Sequence, residues 1–319
     1  MVVGLLTTKM AEIIALGEIL VEIMRPTAGQ PLDRPGEFCG PFASGAPAIF
    51  AIAAARLGLD IAFIGAIGED AFGRLLRTRL SAEGIDTSGL QVAGGYATGA
   101  AFVAYDDSGG REFVFHIRHA AAGQLKSELI PPILFEKVKW LHISGSTIFL
   151  NDNSRAACLR ALELTQAVGG KISLDPNLRF ELMPLEQARE MLAPFISSAD
   201  LLLPTLGEVE ALTGKSDIDG VAQALAVKPN AIIVVKRGSA GCLVFHRDQR
   251  IEVPGFQVEE KDPTGAGDCF SAAFIAGIES GWPLEKVGRF ANAAGALAVT
   301  KMGPMEGAPT RKQMEDFYA

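Results

Sequence analysis

The stretch Asp262-Pro263-Thr264-Gly265-Ala266-Gly267-Asp268-Cys269-Phe270 decides how the rest of the chain is read. Two glycines flank one alanine, and an aspartate follows at once. Phe270, Ala273, Phe274, Gly277 and Ile278 then repeat at helical spacing, so a small-residue turn feeds a helix N-terminus. The N–H groups of such a turn converge on an anion, and the helix dipole adds to the attraction. Gly265 and Gly267 leave room for a phosphate to come close. An aspartate beside a hole that only bound phosphate would repel its ligand. It fits if Asp268 takes a proton from a hydroxyl that attacks a phosphorus held by those N–H groups. The plain alternative is a tight loop with an acidic helix start, where aspartate is favoured for capping. The string is neither the G-x-x-x-x-G-K-[ST] phosphate loop nor G-x-G-x-x-G.

The chain around this stretch has 319 residues, enough for a large α/β domain or about two smaller ones. Hydrophobic residues make up 49% and charged residues 21%, as in a folded soluble protein. A net charge of -8 argues against broad nucleic-acid binding but leaves room for a local anion site. Cys39, Cys158, Cys242 and Cys269 lack C-x-x-C spacing, which disfavours metal and disulfide frameworks. Free thiols in a reducing cytoplasm are expected. The apolar start is too short for a signal sequence, and no run reaches the ~20 apolar residues of a membrane span.

Outward from the turn, strands and helices alternate. Ile13 to Gly17 reads as a buried parallel strand, with Gly17 to Ile23 continuing it. Residues 26–41 are rich in proline and glycine and read as an excursion off the sheet. Ser44 to Leu57 reads as a helix stopped by Gly58, Ile61 to Ile67 as a strand, Asp70 to Ala82 as a helix. Thr98 to Tyr105 and Arg111 to Arg118 form a hairpin pattern that leaves the main sheet. Strands follow at Trp140 to Ser144, Ile172 to Asp175, Leu201 to Leu203 and Ile232 to Lys236. A hairpin follows at Cys242 to Phe245 and Arg250 to Val253. Helices follow at Asn151 to Val168, Leu185 to Phe195, Asp268 to Ser280 and Pro283 to Thr300, with a helical turn at Glu208 to Leu212. This rhythm marks a mostly parallel α/β sheet, here one domain over 1–319 with a small antiparallel lid from segments 26–43 and 96–119. Ligands of such sheets lie beyond the carboxyl ends of the strands. That edge would gather Glu22, Asp175 to Arg179, Thr205 to Glu208, Lys236 to Gly238 and the Gly265–Asp268 turn.

The nine-residue string resembles the C-terminal signature of the ribokinase-like (PfkB) carbohydrate kinases, and the resemblance extends over nearly the whole chain. It implies a three-layer α/β/α sandwich with a β lid. In that family the turn Gly265, Ala266 and Gly267 is the anion hole and Asp268 the catalytic base. Gly17 with Glu22 matches the first-strand motif whose acidic residue, usually Asp, meets sugar hydroxyls. Ser44-Gly45 through Gly58 matches the N-terminal glycine signature, with Ser44 in place of a glycine and Ile49 in place of an asparagine that helps hold the sugar. Phe115-His116-Ile117-Arg118 is similar to the lid strand of fructokinases and 2-keto-3-deoxygluconate kinases; in the latter the arginine meets the substrate. Asp175-Pro176-Asn177-Leu178-Arg179 looks like the D-x-N-x-R stretch of the same branches, implying contact of Asn177 and Arg179 with phosphate or sugar. A strand-end turn fits it too. Thr205 and Glu208 align with Asn-x-x-Glu, which governs magnesium; a capping box fits equally well. Lys236, Gly238 and Gly241 match the nucleotide-side loop, with Thr264 beside it, and Asn292 a residue near adenine. Some members hold K⁺ in a loop that would take in Asp262 and the segment around Gly303. Lone histidines such as His116 and His119 are more often structural, and neither has metal-ligand spacing.

These resemblances imply a cytoplasmic kinase that uses ATP and Mg²⁺ to phosphorylate a primary hydroxyl of a ketohexose, fructose or tagatose. The alternatives are 2-keto-3-deoxygluconate and, in another class, a sugar or nucleotide sensor without turnover. Nucleic acid and membrane are not expected partners. Exposed lid edges tend to pair, so a homodimer through the lid is expected.

Overall fold

The computed structural model describes residues 10–107, 110–179, 183–215, 225 and 227–318. In chain order the elements are β1 (Ile13–Leu16), β2 (Leu20–Met24), β3 (Cys39–Ser44), α1 (Ala46–Arg56), β4 (Ile61–Ile67), α2 (Ala71–Ala82), β5 (Asp86–Val92), β6 (Gly99–Tyr105) and β7 (Arg111–His116). Then come β8 (Trp140–Ser144), α3 (Gly145–Ile148), α4 (Asp152–Ala167), β9 (Lys171–Asp175), α5 (Leu185–Ser198), β10 (Leu201–Leu202) and α6 (Leu206–Thr213). The chain closes with β11 (Ile232–Lys236), β12 (Cys242–His246), β13 (Gln249–Val253), α7 (Ala266–Glu279), α8 (Leu284–Ala298) and α9 (Arg311–Tyr318).

The large sheet runs β13-β12-β11-β10-β9-β8-β1-β4-β5. It is parallel from β5 to β11, and β12 and β13 add antiparallel. Its strands are apolar on both faces because helices cover both. Ile13 and Ala15 face a core shared with α1, α7 and α8, while Ile14 and Leu16 face one shared with α4 and α5. Burial of each such isoleucine or leucine contributes about 1.5–3 kcal/mol. The order reverses at β1: later strands add as β4 and β5 on one side and as β8 to β11 on the other. The crevice at that reversal is where ligands of open α/β sheets bind.

The small sheet runs β3-β2-β6-β7. Its outer ladders are antiparallel, as expected of the lid, but β2 and β6 pair in parallel. They can do so because the chain passes through α1, β4, α2 and β5 between them, a connection long enough for a parallel crossover. The first strand does not run on to Ile23: β1 belongs to the large sheet and β2 to the lid. Gly17 makes the break, with φ 154°, and a Cβ there would lie 2.0 Å from Thr147 Oγ1 and 2.5 Å from the Pro47 ring. β5 had no sequence signal. It is an edge strand whose Asp86, Thr87, Ser88 and Gln91 need not be apolar.

Candidate active site

Every element that was to deliver polar residues to one edge does so. β1 leads to Glu18, β2 carries Glu22, and β3 ends at Ser44. β9 ends at Asp175 and runs on to Asn177 and Arg179, β11 ends at Lys236, and α6 begins beside Thr205 and Glu208. These residues and the 263–268 turn line one cavity, roofed by Phe113, Phe115 and Ile117 from the lid. A second cavity lies on the other side of the turn, lined by Gly238, Gly241, Gly255, Phe256, Phe270, Asn292 and Val299. Lys236, Pro263 and Gly267 line both.

The turn is built for close approach. Gly265 is the N-cap of α7 at φ 84°, where a Cβ would meet Pro304 O at 2.6 Å and the Ile49 side chain at 3.0 Å. No side chain caps α7, so the N–H groups of its first turn stay open to a ligand. Ile49, standing where an asparagine was expected, is an apolar wall packed on this turn. Asp268 sits in the same turn, 9% exposed, with no hydrogen bond from a described residue to its carboxylate. Burial, and then the charge of Asp175, push its pKa up to about 8, while Lys236 and Arg179 pull the other way. Lys236 Nζ is 2.5 Å from Asp175 Oδ2. Burial works against its charge, but Asp175 and Glu208 outweigh that and hold its pKa above the ordinary value.

Across the cavity, Glu22 is 3% exposed. Its Oε2 accepts from Ser44 Oγ at 3.0 Å, and its Oε1 has no partner among the described residues. Burial raises its pKa to about 7, against the Ser44 hydrogen bond. Ser44 thus puts a hydroxyl donor on the acidic residue where the family pattern has glycine. Glu18 was not foreseen. It is buried and accepts from Ser146 Oγ at 2.6 Å and Thr147 Oγ1 at 2.5 Å. Ser146 is 2.8 Å from Ser144 Oγ, which is 3.0 Å from Asn177 Nδ2.

Glu208 faces this cavity with both oxygens engaged. Oε2 accepts from Thr205 N and Oγ1, completing a capping box, and Oε1 accepts from Leu178 N at 2.7 Å. The capping reading therefore holds, and the three bonds take up most of the acceptor capacity of the carboxylate, leaving one site on Oε1. Asn292 lines the nucleotide-side cavity, but its Nδ2 donates to Val253 O and Pro254 O, fixing the loop after β13. Thr264 Oγ1 is 3.2 Å from Tyr105 OH, which donates to Asp262 Oδ1 at 2.7 Å. Asp262 also accepts from Thr264 N and Gly303 N, so it ties together the two segments of the expected cation loop.

Two expected sugar contacts lie elsewhere. Arg118 follows the end of β7 and lines a separate hollow with Asn151, Arg155 and Met191. His116 is exposed and packs edge-on against Phe102 at 6.0 Å. The cause is strand parity: Phe113, Phe115 and Ile117 face the cavity, which sends the even-numbered residues away. The lid arginine at the cavity is Arg111, two residues before Phe113. Its spacing with Phe113 and Phe115 was the available signal.

A family model described as pfkB family carbohydrate kinase matches residues 10–311. The chain belongs to the pfkB carbohydrate kinase family. This kinase is 34% identical over 312 residues to Fructokinase-1 of Oryza sativa subsp. japonica, covering 95% of this chain and 96% of that one. Its structure is similar to a provisionally named ribokinase II from E. coli in complex with ATP and Mg²⁺, with TM-score 0.90 and 38% identity over 97% of this chain and 99% of that one. It is also similar to fructokinase from Vibrio cholerae O395 in a form with fructose, ADP and calcium, with TM-score 0.85 and 30% identity over 97% and 99% of the two chains. A double mutant of the latter holds potassium with fructose and ADP. The ribokinase-like α/β fold and the sugar-kinase class expected from the sequence both stand. Among the described residues, no helix is long and apolar enough to cross a membrane.

Proposed function

We propose that the kinase transfers the γ-phosphoryl of ATP to a primary hydroxyl of a ketohexose such as fructose or tagatose. The observation that carries this is the meeting of two cavities at one uncapped helix N-terminus, with Asp268 on the acceptor side. The nucleotide-side cavity offers glycine backbone and apolar walls, which fit an adenine and its phosphates. Bound ATP supplies the phosphoryl group, and Mg²⁺ bound with it neutralises phosphate charge. Asp175 and Glu208 already accept from Lys236 and from backbone N–H groups. They fit an ion carried in on phosphate oxygens and reached through water better than one caged by carboxylates.

In this reading the ionised form of Asp268 accepts the proton of the attacking hydroxyl, and a pKa pushed up to about 8 makes that form a strong base. The open N–H groups of Ala266 and Gly267 take the charge that develops on the phosphoryl oxygens. Lys236 stands where both cavities meet, held by Asp175. Glu22, through its partnerless Oε1, accepts from a sugar hydroxyl, with Gly45, Asn177 and Arg179 around the same molecule. The lid excludes water. A neutral sugar is favoured because, among the described residues, five carboxyl groups line the cavity, Glu18, Glu22, Asp175, Glu208 and Asp268, against three cations, Arg111, Arg179 and Lys236. A cytoplasmic location fits the need for ATP. A single kinase domain and a homodimer through the exposed lid edges remain our reading of the chain and its lid. The test is ADP release over a panel of ketohexoses, aldohexoses, ribose, 2-keto-3-deoxy acids and nucleosides. A kcat/KM for fructose or tagatose well above the rest is expected. A preference for 2-keto-3-deoxygluconate would overturn the substrate, and sugar binding without ADP release would overturn the enzyme.

A further inference from the structure

Glu18 takes no part in the transfer described above, yet it is a buried carboxylate, 4% exposed, at the wall of the acceptor cavity. Both of its oxygens accept from hydroxyls, of Ser146 and of Thr147. Burial pushes the pKa of Glu18 up, and the two hydroxyls oppose that by donating to its ionised form, in which it has no proton to give while a serine hydroxyl has one. Ser146 spends its proton on Glu18, so its oxygen accepts from Ser144. Ser144 has then spent its own, so its oxygen accepts from Asn177. The amide of Asn177 therefore turns its NH₂ inward, toward Ser144. Its Oδ1, with no partner among the described residues, is what Asn177 offers to the cavity.

We propose that Glu18 is a positioning residue: through Ser146 and Ser144 it sets the polarity of Asn177, so that the cavity meets a sugar hydroxyl with an acceptor rather than a donor. The proposal rests on the sugar-kinase reading above and deepens it. Asn177 Oδ1 and the partnerless Glu22 Oε1 make two fixed acceptors, the complement of a polyol and not of a carboxylate or phosphate ester.

The test compares Ser146→Ala with Thr147→Val. Each removes one hydroxyl from Glu18, but only the first cuts the path to Asn177. Without Ser146 Oγ, the Ser144 hydroxyl can turn toward Asn177 and let its amide flip. Ser146→Ala should raise KM for fructose roughly three- to tenfold, the range for one neutral hydrogen bond, with kcat and the KM for ATP near wild type. Thr147→Val should leave the fructose KM within about twofold, since no bond on the path is lost. The second readout needs no substrate: the side-chain ¹⁵N–¹H₂ signals of Asn177, assigned by their loss in Asn177→Asp. They should shift in Ser146→Ala and hold in Thr147→Val. Unmoved signals in Ser146→Ala overturn the relay. Moved signals with an unchanged fructose KM overturn its role in positioning, as does an equal KM rise in both variants. A wild-type protein inert toward every sugar overturns the sugar-kinase reading instead, and the amide signals still decide the relay.

Discussion

The two cavities that meet at the Gly265–Asp268 turn are made of different material. Of the described residues lining the nucleotide-side cavity, only Lys236 and Glu260 carry charge; the rest are mostly glycine, alanine and apolar side chains. The acceptor cavity has eight charged residues around it: Glu18, Glu22, Arg111, Asp175, Arg179, Glu208, Lys236 and Asp268. One side recognises by shape and by backbone. The other crowds like charges together under burial, which pushes Asp268 and Glu22 away from ordinary carboxylate behaviour. Substitutions on the first side should act through KM for ATP. On the second they should act through turnover, pH dependence and the affinity for sugar.

The sharpest contrast is expected from Asp268→Asn. Loss of a positioned general base lowers kcat by roughly 10²- to 10⁴-fold, while ATP binding stays close to wild type. Stability should move the opposite way. The folded pKa of Asp268, about 8, lies above its ordinary value of 3.8. The native state therefore holds the extra proton between those values, and the contribution of Asp268 to stability falls as pH rises through that window. Asparagine has no charge to bury. The Tm of the variant relative to wild type should thus rise from pH 5 to pH 8. A kcat near wild type would leave the turn as an anion binder only, and a flat Tm difference would mean that Asp268 is not strained by burial.

The legibility of the two sides follows from the same difference. The parallel sheet could be read because strands apolar on both faces are rare outside a covered sheet, and β8 and β11 fall on the expected residues. The nucleotide side could be read because glycines at a strand end and at a helix start are local signals. The acceptor side depends on pairs remote in sequence. Glu18 gains its role from Ser146 and Thr147, more than a hundred residues away. The break after Leu16 is invisible in a continuous apolar run, because crowding of Gly17 by Thr147 and Pro47 makes it. Arg118 matched a family string, yet the parity of β7 gives the cavity to Arg111.

That reassignment can be broken by a pair of variants. Arg111 lines the acceptor cavity at the turn end of the lid hairpin, and its charge favours ionised Glu22. Arg111→Ala should raise KM for fructose roughly three- to tenfold, a charge-assisted contact reduced by exposure to water. Arg118→Ala should change it by no more than about twofold, since the side chain lies off the cavity. The reverse order would restore the even-numbered face of β7 as the sugar face.

The smallest effect should come from Ser44→Gly, and its direction with pH carries the information. Ser44 Oγ is a donor to Glu22, and a donor to a carboxylate favours the ionised form. Without it, burial acts on Glu22 less opposed, and its pKa should rise above the present value of about 7. Ionised Glu22 is the stronger acceptor for a sugar hydroxyl, so tight binding of fructose should begin at a higher pH in the variant. The expected result is a rise in KM of roughly two- to fivefold near pH 7, within the range of one modest hydrogen bond. The rise should shrink toward pH 9, where Glu22 is ionised in both proteins. The measurement is KM for fructose from pH 6 to 9 in both. A pH-independent offset would mean that Ser44 only shapes the wall, and that Glu22 is not a titrating acceptor in the sugar site.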